Sequence, residues 1–302
     1  MTVYSPPTEL YPFESNWLQL TDCKMHYLDE GPREAPVVLM LHGNPSWSFY
    51  YRNLVVALRD RFRCIVPDHI GCGLSEKPDD EVYSYQLNRR IEDIETLRQH
   101  LGLTQDIHLV VHDWGGMIGF GWATRYNADI SSTVVLNTAA FPMPEDKRFP
   151  FPLWVAGKTP VGTFLVRGLN AFSGLASKVG FKKPVGDEIR KAYTGPYNSW
   201  ANRIATHKFV QDIPLKASDT GYEILVETES GLHRFATKPG LIAWGELDFV
   251  FDKTFLKKWQ HHLPESKVHL YPDCGHYILE DAGENLISKI SGFLDQCESK
   301  VA

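Results

Sequence analysis

The chain has 302 residues, of which 43% are hydrophobic and 23% charged, and its formal net charge is −6. This length suits one large domain with an insertion, or two domains. The negative balance, without a run of lysine or arginine, argues against nucleic-acid binding, and no apolar stretch approaches the roughly 20 residues that span a bilayer. Residues 1–7 lack the basic and apolar regions of a signal peptide, so we expect a cytoplasmic protein.

Five cysteines are scattered along the chain, and no two have CxxC spacing. Such a pattern is typical of reduced thiols in a cytoplasmic protein. Cys274 lies two residues before His276 and could be a nucleophile, but no neighbour would orient it for that role, so we favour packing. Histidine, cysteine and aspartate do not cluster with metal-ligand spacing, so we expect neither a metal nor another cofactor.

Strands and helices alternate from the start of the chain. Residues 17–20 and 24–29 alternate polar and apolar side chains, as in a hairpin. Residues 37–41 and 63–67 are apolar runs typical of buried strands, and residues 47–58 have helical spacing.

The same rhythm continues with a predicted helix over 87–101 and an apolar strand over 107–111. A turn follows, and then a helix over 117–124 that starts among small residues. The next apolar run, 133–137, predicts a further strand.

The rhythm breaks after residue 141. Up to about residue 222 there is no clear apolar strand, but aromatic residues are frequent and the segments 187–193 and 199–210 resemble helices. We therefore predict a helical cap over 142–222, inserted into an α/β core formed by 1–141 and 223–302.

The second half returns to strands over 240–244 and 267–271, and a helix over 284–294 closes the chain. Alternating strands and helices with buried strands predict a mostly parallel sheet covered by helices on both faces. In such sheets, reactive groups lie at the carboxyl ends of the strands.

Asp113 stands at one of these ends, between an apolar strand and Gly115-Gly116. A strand, a tight glycine turn and a helix are the setting of a nucleophile elbow, which usually presents a serine. A carboxylate is instead a competent nucleophile toward an sp3 carbon with a leaving group, and the product is an ester that water can cleave.

Asp248 and His276 follow two later strands. Each has a structural alternative, since aspartate often caps a helix and a histidine can be a satisfied core or loop residue. The order nucleophile, acid, histidine and the placement at strand ends favour a catalytic triad.

Asn44 and Trp114 flank the nucleophile at the two positions where backbone N–H groups would form an oxyanion hole. Their side chains add N–H donors that could hold a small anion such as a halide. Asn44 as a turn former and Trp114 as a core residue are the alternatives. We favour anion binding because both positions carry donors.

The expected reaction begins when Asp113 displaces a leaving group from an alkyl carbon onto Asn44 and Trp114. His276, held by Asp248, then takes a proton from water, and hydroxide attacks the ester. The backbone N–H groups of Asn44 and Trp114 would stabilise the oxyanion that forms.

These motifs resemble those of haloalkane dehalogenases in the α/β-hydrolase superfamily. Asn44 matches the halide-binding asparagine of that family, whereas the Asp113-Trp114-Gly115 motif is shared with epoxide hydrolases. The matching segments extend over nearly the whole chain and are 42–48, 67–75, 111–116, 244–248 and 275–276. The resemblance implies the α/β-hydrolase fold, with a mostly parallel sheet flanked by helices and an inserted helical cap.

Asn137 and Asp248 occupy the two places where the family can carry the acid. An Asp–His–Asp triad with an Asn–Trp pair, together with the cap segments 193–200 and 209–214, resembles the third dehalogenase subfamily. That subfamily also includes β-lactone decarboxylases of long-chain olefin biosynthesis, which use similar active-site residues. The resemblance further implies a possible homo-oligomer.

The leading expectation is hydrolytic dehalogenation of haloalkanes to alcohol and halide through an ester on Asp113. The partners would be a small apolar substrate, water and a halide ion. A β-lactone decarboxylase is the first alternative. An epoxide hydrolase is the next, because Tyr193 and Tyr197 could donate the proton that an alkoxide needs, although packing is their favoured role. A non-catalytic scaffold is least favoured, since no triad member is lost.

The walls of a pocket under the cap are the least defined part of the prediction. Cap aromatics line pockets as readily as they pack on each other. Candidate wall residues are Phe149, Phe151, Trp154, Phe172 and Trp200. Neither the natural substrate nor its chain length follows from the sequence.

Overall fold

One mixed sheet organises the protein, of which the computed structural model describes residues 4–299. Its strands are β1 (Asn16–Gln19), β2 (Lys24–Glu30), β3 (Val37–Leu41), β4 (Arg63–Pro67), β5 (Ile107–Asp113), β6 (Ile130–Thr138), β7 (Gly240–Gly245) and β8 (Lys267–Tyr271). They lie in the order β1-β2-β4-β3-β5-β6-β7-β8. Strand β2 pairs antiparallel with β1 and β4, and all other pairs are parallel.

Helices connect the strands and cover the sheet. They are α1 (Arg52–Leu58), α2 (Leu87–Leu101), α3 (Trp114–Arg125), α4 (Phe151–Lys158), α5 (Pro160–Thr163), α6 (Ala171–Val179), α7 (Asp187–Thr194), α8 (Ile204–Gln211), α9 (Tyr222–Gly231), α10 (Lys253–His262), α11 (Ile278–Ala282) and α12 (Glu284–Glu298). Between residues 4 and 299, no helix is both long and apolar enough to cross a bilayer.

Both faces of the sheet are buried, as the apolar strands require. In β3, Val37, Leu39 and Leu41 enter one core, whereas Val38 and Met40 enter the other. Helices α2, α3, α9 and α10 contribute to the first core, and α1, α11 and α12 to the second. The predicted mostly parallel sheet flanked by helices is confirmed.

Of the three helices predicted before residue 142, two differ from their predicted bounds and one agrees. Helix α2 coincides with the predicted 87–101, but α3 begins at Trp114, directly after the strand. The predicted helix over 47–58 is divided, since a 3-10 turn over Ser48–Tyr51 precedes α1.

Residues 139–239, all described, contain helices and no strand. Helix α8 reaches the carboxyl ends of the strands, where its Thr206 carbonyl accepts a hydrogen bond from the Asn44 side chain. Helix α9 packs against α3 and begins at Tyr222, the predicted end of the cap. The division into a cap over 142–222 and a core stays a prediction.

Gly115 allows α3 to start tightly against β3. A methyl group at this position would overlap the carbonyl oxygen of Leu41. We expect Gly115→Ala to lower the free energy of unfolding by about 1–3 kcal/mol, the usual cost of overpacking. The measurement is denaturant unfolding followed by circular dichroism.

Gly174 provides the matched control, because an added methyl group there would meet no heavy atom within 4 Å. Gly174→Ala should raise stability by about 1 kcal/mol or less, from helix propensity alone. Equal stability of the two variants would show that the contact between α3 and β3 does not require glycine.

Candidate active site

Asp113 has an unusual backbone conformation at the carboxyl end of the central strand β5. It ends β5 and directly precedes α3, with φ +51° and ψ −124°. This conformation is costly for a residue with a side chain and marks a position that the surrounding fold over-determines. Gly43 lies beside it, and a Cβ there would overlap the Asp113 carboxyl group. The sharp turn thus presents the carboxyl group to the space above the strands.

Two backbone N–H groups point at this carboxyl group. The Asn44 N–H donates to Asp113 Oδ1 at 2.7 Å, and the Trp114 N–H donates to the same side chain. Burial raises the pKa of Asp113, although His276 and these two N–H groups act in the opposite direction. The same donors could stabilise an oxyanion formed at this carboxyl carbon.

His276 lies between two carboxyl groups. Its Nδ1 is 2.8 Å from Asp248 Oδ2, and its Nε2 is 3.7 Å from Asp113 Oδ2. Burial alone would lower the pKa of the imidazole, but Asp248, through charge and hydrogen bond, and then Asp113 raise it to about 9. The imidazole is therefore mainly protonated at neutral pH.

The Asp248 carboxyl group is buried and fixed by four hydrogen bonds. Its Oδ1 accepts from the backbone N–H groups of Val250 at 2.8 Å and Phe251 at 3.2 Å. Its Oδ2 accepts from the Asn137 amide at 3.1 Å and bonds the imidazole of His276. These partners hold the carboxyl group in one orientation, aimed at the histidine.

Asn137 contacts Asp248, and the sequence did not reveal this contact. It ends β6, and besides Asp248 its amide bonds both backbone groups of Gly245, with N···O distances of 2.8 and 3.0 Å. The sequence showed only that asparagine stands at one of two acid positions. His112 was also missed, and its Nε2 bonds the His276 carbonyl oxygen at 2.9 Å.

The side chains of Trp114 and Asn44 have different surroundings. The Trp114 ring packs on Phe209 with centroids 5.1 Å apart, and its indole N–H has no hydrogen-bond partner in the described part of the chain. The Asn44 amide already donates to the Thr206 carbonyl at 3.0 Å. The indole N–H is therefore the more available donor for an anion.

An apolar cavity of about 560 Å³ opens above Asp113 and His276. This size is usual for a small-molecule site. Phe149, Phe151 and Phe172, three of the predicted wall residues, line it. Other lining residues include Met117, Phe141, Leu165, Leu225, Phe251 and Tyr277.

The prediction was wrong for the other two wall residues. Trp154 is 45% exposed and stacks on Phe151 outside the cavity, with ring centroids 5.9 Å apart. Trp200 is 47% exposed and lies under the guanidinium group of Arg167. On α4 the neighbours Leu153 and Val155 line the cavity, so the rotation of the helix turns Trp154 away.

Tyr193 and Tyr197, the two tyrosines considered as proton donors, do not line the cavity. The Tyr193 hydroxyl donates to Glu280 at 2.6 Å, and the Tyr197 hydroxyl donates to the Ser46 carbonyl at 3.3 Å. They are therefore not placed to protonate an alkoxide above Asp113, which weakens the epoxide hydrolase alternative. The tyrosine that lines the cavity is Tyr277, directly after His276.

Cys274 is buried, and burial raises the pKa of its thiol to about 12. A thiol that remains protonated at neutral pH is a poor nucleophile. Among residues 4–299, no three histidine, cysteine or acidic side chains are grouped so as to hold a metal ion.

Comparison with known proteins identifies the family. The alpha/beta hydrolase fold family matches residues 36–283. The chain belongs to this family. A cis-3-alkyl-4-alkyloxetan-2-one decarboxylase from Shewanella oneidensis is 55% identical over 96% of this chain and 91% of its own length.

The chain is also similar to haloalkane dehalogenases. Haloalkane dehalogenase 2 of Mycobacterium tuberculosis is 33% identical, over 95% of this chain and 97% of its own. The crystal structure of a haloalkane dehalogenase from Bradyrhizobium elkani superposes with a TM-score of 0.84 at 24% identity, covering 95% of this chain and 99% of that one. The predicted α/β-hydrolase fold is confirmed, and the resemblance extends to decarboxylases and dehalogenases alike.

The charge of Asp113 contributes to the raised pKa of His276. We therefore expect Asp113→Asn to lower the pKa of the His276 imidazole, since one neighbouring negative charge is removed. Histidine ring signals followed by NMR across a pH titration would measure it. Asp60→Asn, at an exposed position, is the control and should leave the value unchanged. An unchanged or higher pKa in Asp113→Asn would contradict the assigned charge coupling.

Proposed function

We propose that this alpha/beta hydrolase is a β-lactone decarboxylase that converts cis-3-alkyl-4-alkyloxetan-2-ones into alkenes and carbon dioxide. The observation that carries the proposal is the 55% identity, over 96% of the chain, to a decarboxylase of that name. Haloalkane dehalogenation, the leading expectation from the sequence, thereby ranks second. The site adds chemical support, because a buried carboxylate at the end of an apolar cavity suits an uncharged substrate with two alkyl chains.

In the first step, an Asp113 carboxylate oxygen attacks C4, the ring carbon that bears the ring oxygen. The C4–O bond breaks, and its electron pair goes to the ring oxygen, which becomes part of a carboxylate on C3. An ester between C4 and Asp113 results. The unpartnered indole N–H of Trp114 is available to this new carboxylate.

In the second step, the bond between C3 and the carboxylate breaks and carbon dioxide leaves. The electron pair of that bond forms the C3–C4 double bond, and the C4–O bond to Asp113 breaks. Asp113 thus recovers its carboxylate, and neither water nor an oxidant is consumed. Apolar walls offer the substrate carboxylate few hydrogen bonds, which favours its loss as a neutral molecule.

The groups around Asp113 suit its role as a leaving group. The backbone N–H of Asn44 lies 2.7 Å from Oδ1, and the His276 Nε2 lies 3.7 Å from Oδ2. The pKa of about 9 applies to His276 beside ionised Asp113, and it falls when ester formation removes that charge. Asp248 still raises the pKa of the imidazole, so a protonated His276 would stabilise the negative charge as it returns to Asp113. In this reaction His276 acts as a fixed cation, with no need to deprotonate water.

The geometry of these two steps predicts a cis alkene. Attack at C4 from the face opposite the ring oxygen inverts that carbon and places the new C4–O bond anti to the C3–carboxylate bond. Anti elimination without rotation about C3–C4 then keeps the two alkyl chains on the same side. A cavity that confines both chains would favour this course.

Haloalkane dehalogenation is the second candidate, supported by the 33% identity to a dehalogenase and by the available Trp114 N–H. A halide would take the place of the lactone carboxylate beside Trp114. The ester on Asp113 would then be hydrolysed, with His276 as the base for water.

The first test is incubation with a cis-3,4-dialkyl β-lactone in oxygen-18 water. We expect the cis alkene, one per lactone consumed, with none from Asp113→Asn because the nucleophile is lost. Gas chromatography with mass spectrometry measures the products, and Asp60→Asn is the control. A labelled β-hydroxy acid would indicate hydrolysis instead. Halide release from 1-iodohexane without lactone turnover would favour the second candidate.

The second test concerns the indole N–H of Trp114. Trp114→Phe retains an aromatic ring against Phe209 but removes the donor, so we expect kcat for the lactone to fall about 100-fold. The control is Trp17→Phe, an exposed residue of β1 far from the cavity residues in the sheet order. A kcat equal to that of the unaltered protein would rule out anion stabilisation by Trp114.

A further inference from the structure

The opening of the cavity is surrounded by apolar side chains that face water. Phe151, Leu175, Val179 and Phe249 line the cavity, yet between 40% and 71% of each is exposed. Trp154 extends this surface by stacking on Phe151. We call these five residues the mouth patch. A contiguous exposed apolar patch beside a pocket is a usual sign of an interaction surface.

Helix α6 explains how the patch arises. Phe172, Leu175, Ala176 and Val179 all line the cavity, at the spacing that places side chains on one face of a helix. The last turn of this face continues beyond the cavity into solvent, where Leu175 and Val179 stay half exposed. The apolar face is therefore larger than the cavity that it covers.

The predicted cap segment, residues 142–222, differs from the rest of the chain in its balance of basic and acidic residues. Residues 142–222 contain twelve lysines and arginines and six acidic residues, whereas the other 221 residues contain nineteen and thirty-one. Residues 142–222 thus have a formal charge of +6 and the remainder −12. Within the segment Lys147, Lys183 and Lys208 pair with Asp252, Asp273 and Asp80 outside it, so the excess of positive charge is smaller than this sum. Arg148, Lys178 and Lys182 lie next to the mouth patch in sequence, and no carboxylate within residues 4–299 pairs with them.

We propose that the mouth patch docks on the surface of an anionic lipid bilayer. Exposed aromatic and aliphatic side chains would enter the interface between headgroups and acyl chains, and the neighbouring basic residues would contact acidic headgroups. An apolar substrate could then pass between bilayer and cavity without crossing water. Docking on a bilayer is a property separate from the proposed reaction. It can be measured without any substrate.

Charge disfavours a second copy of the chain as the occupant of the patch. A symmetric dimer through this face would bring two segments with an excess of basic residues together, and such juxtaposition is repulsive. A bilayer containing acidic lipid has the opposite charge and a large apolar interior. The bilayer therefore complements both the charge and the exposed rings.

Sedimentation with vesicles tests the proposal. We expect the protein to sediment with vesicles of equal parts phosphatidylglycerol and phosphatidylcholine, to bind phosphatidylcholine vesicles weakly, and to release partly at high salt. The readout is the bound fraction, so a failure of lactone turnover would not affect it. No binding to the anionic vesicles would overturn the proposal.

Paired variants distinguish binding through the mouth patch from non-specific binding to vesicles. Lys178→Glu should reduce the apparent partition coefficient at least about fivefold, which is the usual contribution of one basic residue at an anionic surface. Trp154→Ser should reduce it by at least about as much, because an exposed aromatic ring is lost from the interface. Val56→Ser on α1 and Lys289→Glu on α12 remove similar exposed groups at positions that do not line the cavity and should retain binding.

Folding of each variant is checked by circular dichroism. Equal losses in the patch variants and their controls would contradict docking through the mouth patch. Sedimentation velocity measures whether the protein is a monomer or a dimer, and so tests a second copy of the chain as the occupant of the patch. Suppose that the protein is a dimer, that Trp154→Ser dissociates it and that vesicles are not bound. The mouth patch would then be a contact between two copies of the chain, and the proposal of bilayer docking would be overturned.

Discussion

A carboxylate buried at the end of an apolar cavity is the constraint on which the site depends. Ionised Asp113 would be costly in such surroundings without compensating donors and positive charge. The backbone N–H groups of Asn44 and Trp114 and the imidazole of His276 provide them. The elbow conformation at Asp113, with φ +51°, brings these groups together at the strand ends.

The same arrangement accommodates two reactions, which is why neither the motifs nor the fold separates them. In the proposed reactions, displacement from an sp3 carbon would produce an anion beside Trp114 and an ester on Asp113 whether the leaving group is a halide or a lactone carboxylate. The reactions differ afterwards. A lactone-derived ester carries its own carboxylate and can fragment, whereas a haloalkane-derived ester needs water. Under this proposal the substrate would determine whether His276 acts as a cation or as a base for water.

Local patterns were enough to predict the strands, helix α2 and the placement of Asp113, Asp248 and His276 at strand ends, because apolar runs and glycine turns act over short distances. Contacts between distant segments could not be predicted. Asn137 bonds Asp248 across 111 positions. The family resemblance marked both positions, but no local pattern indicates that the two side chains touch. Trp154 and Trp200 were misplaced because aromatic composition does not determine which side of a cap element faces the cavity. Burial by neighbouring helices determines it.

Covalent attachment of the substrate to Asp113 is the central claim. Rapid acid quenching of lactone turnover, followed by mass spectrometry of the peptide that contains Asp113, measures it most directly. The account predicts a transient mass increase of one intact lactone on Asp113 that decays as alkene forms. An unmodified Asp113 peptide throughout, with turnover persisting in Asp113→Asn, would contradict it.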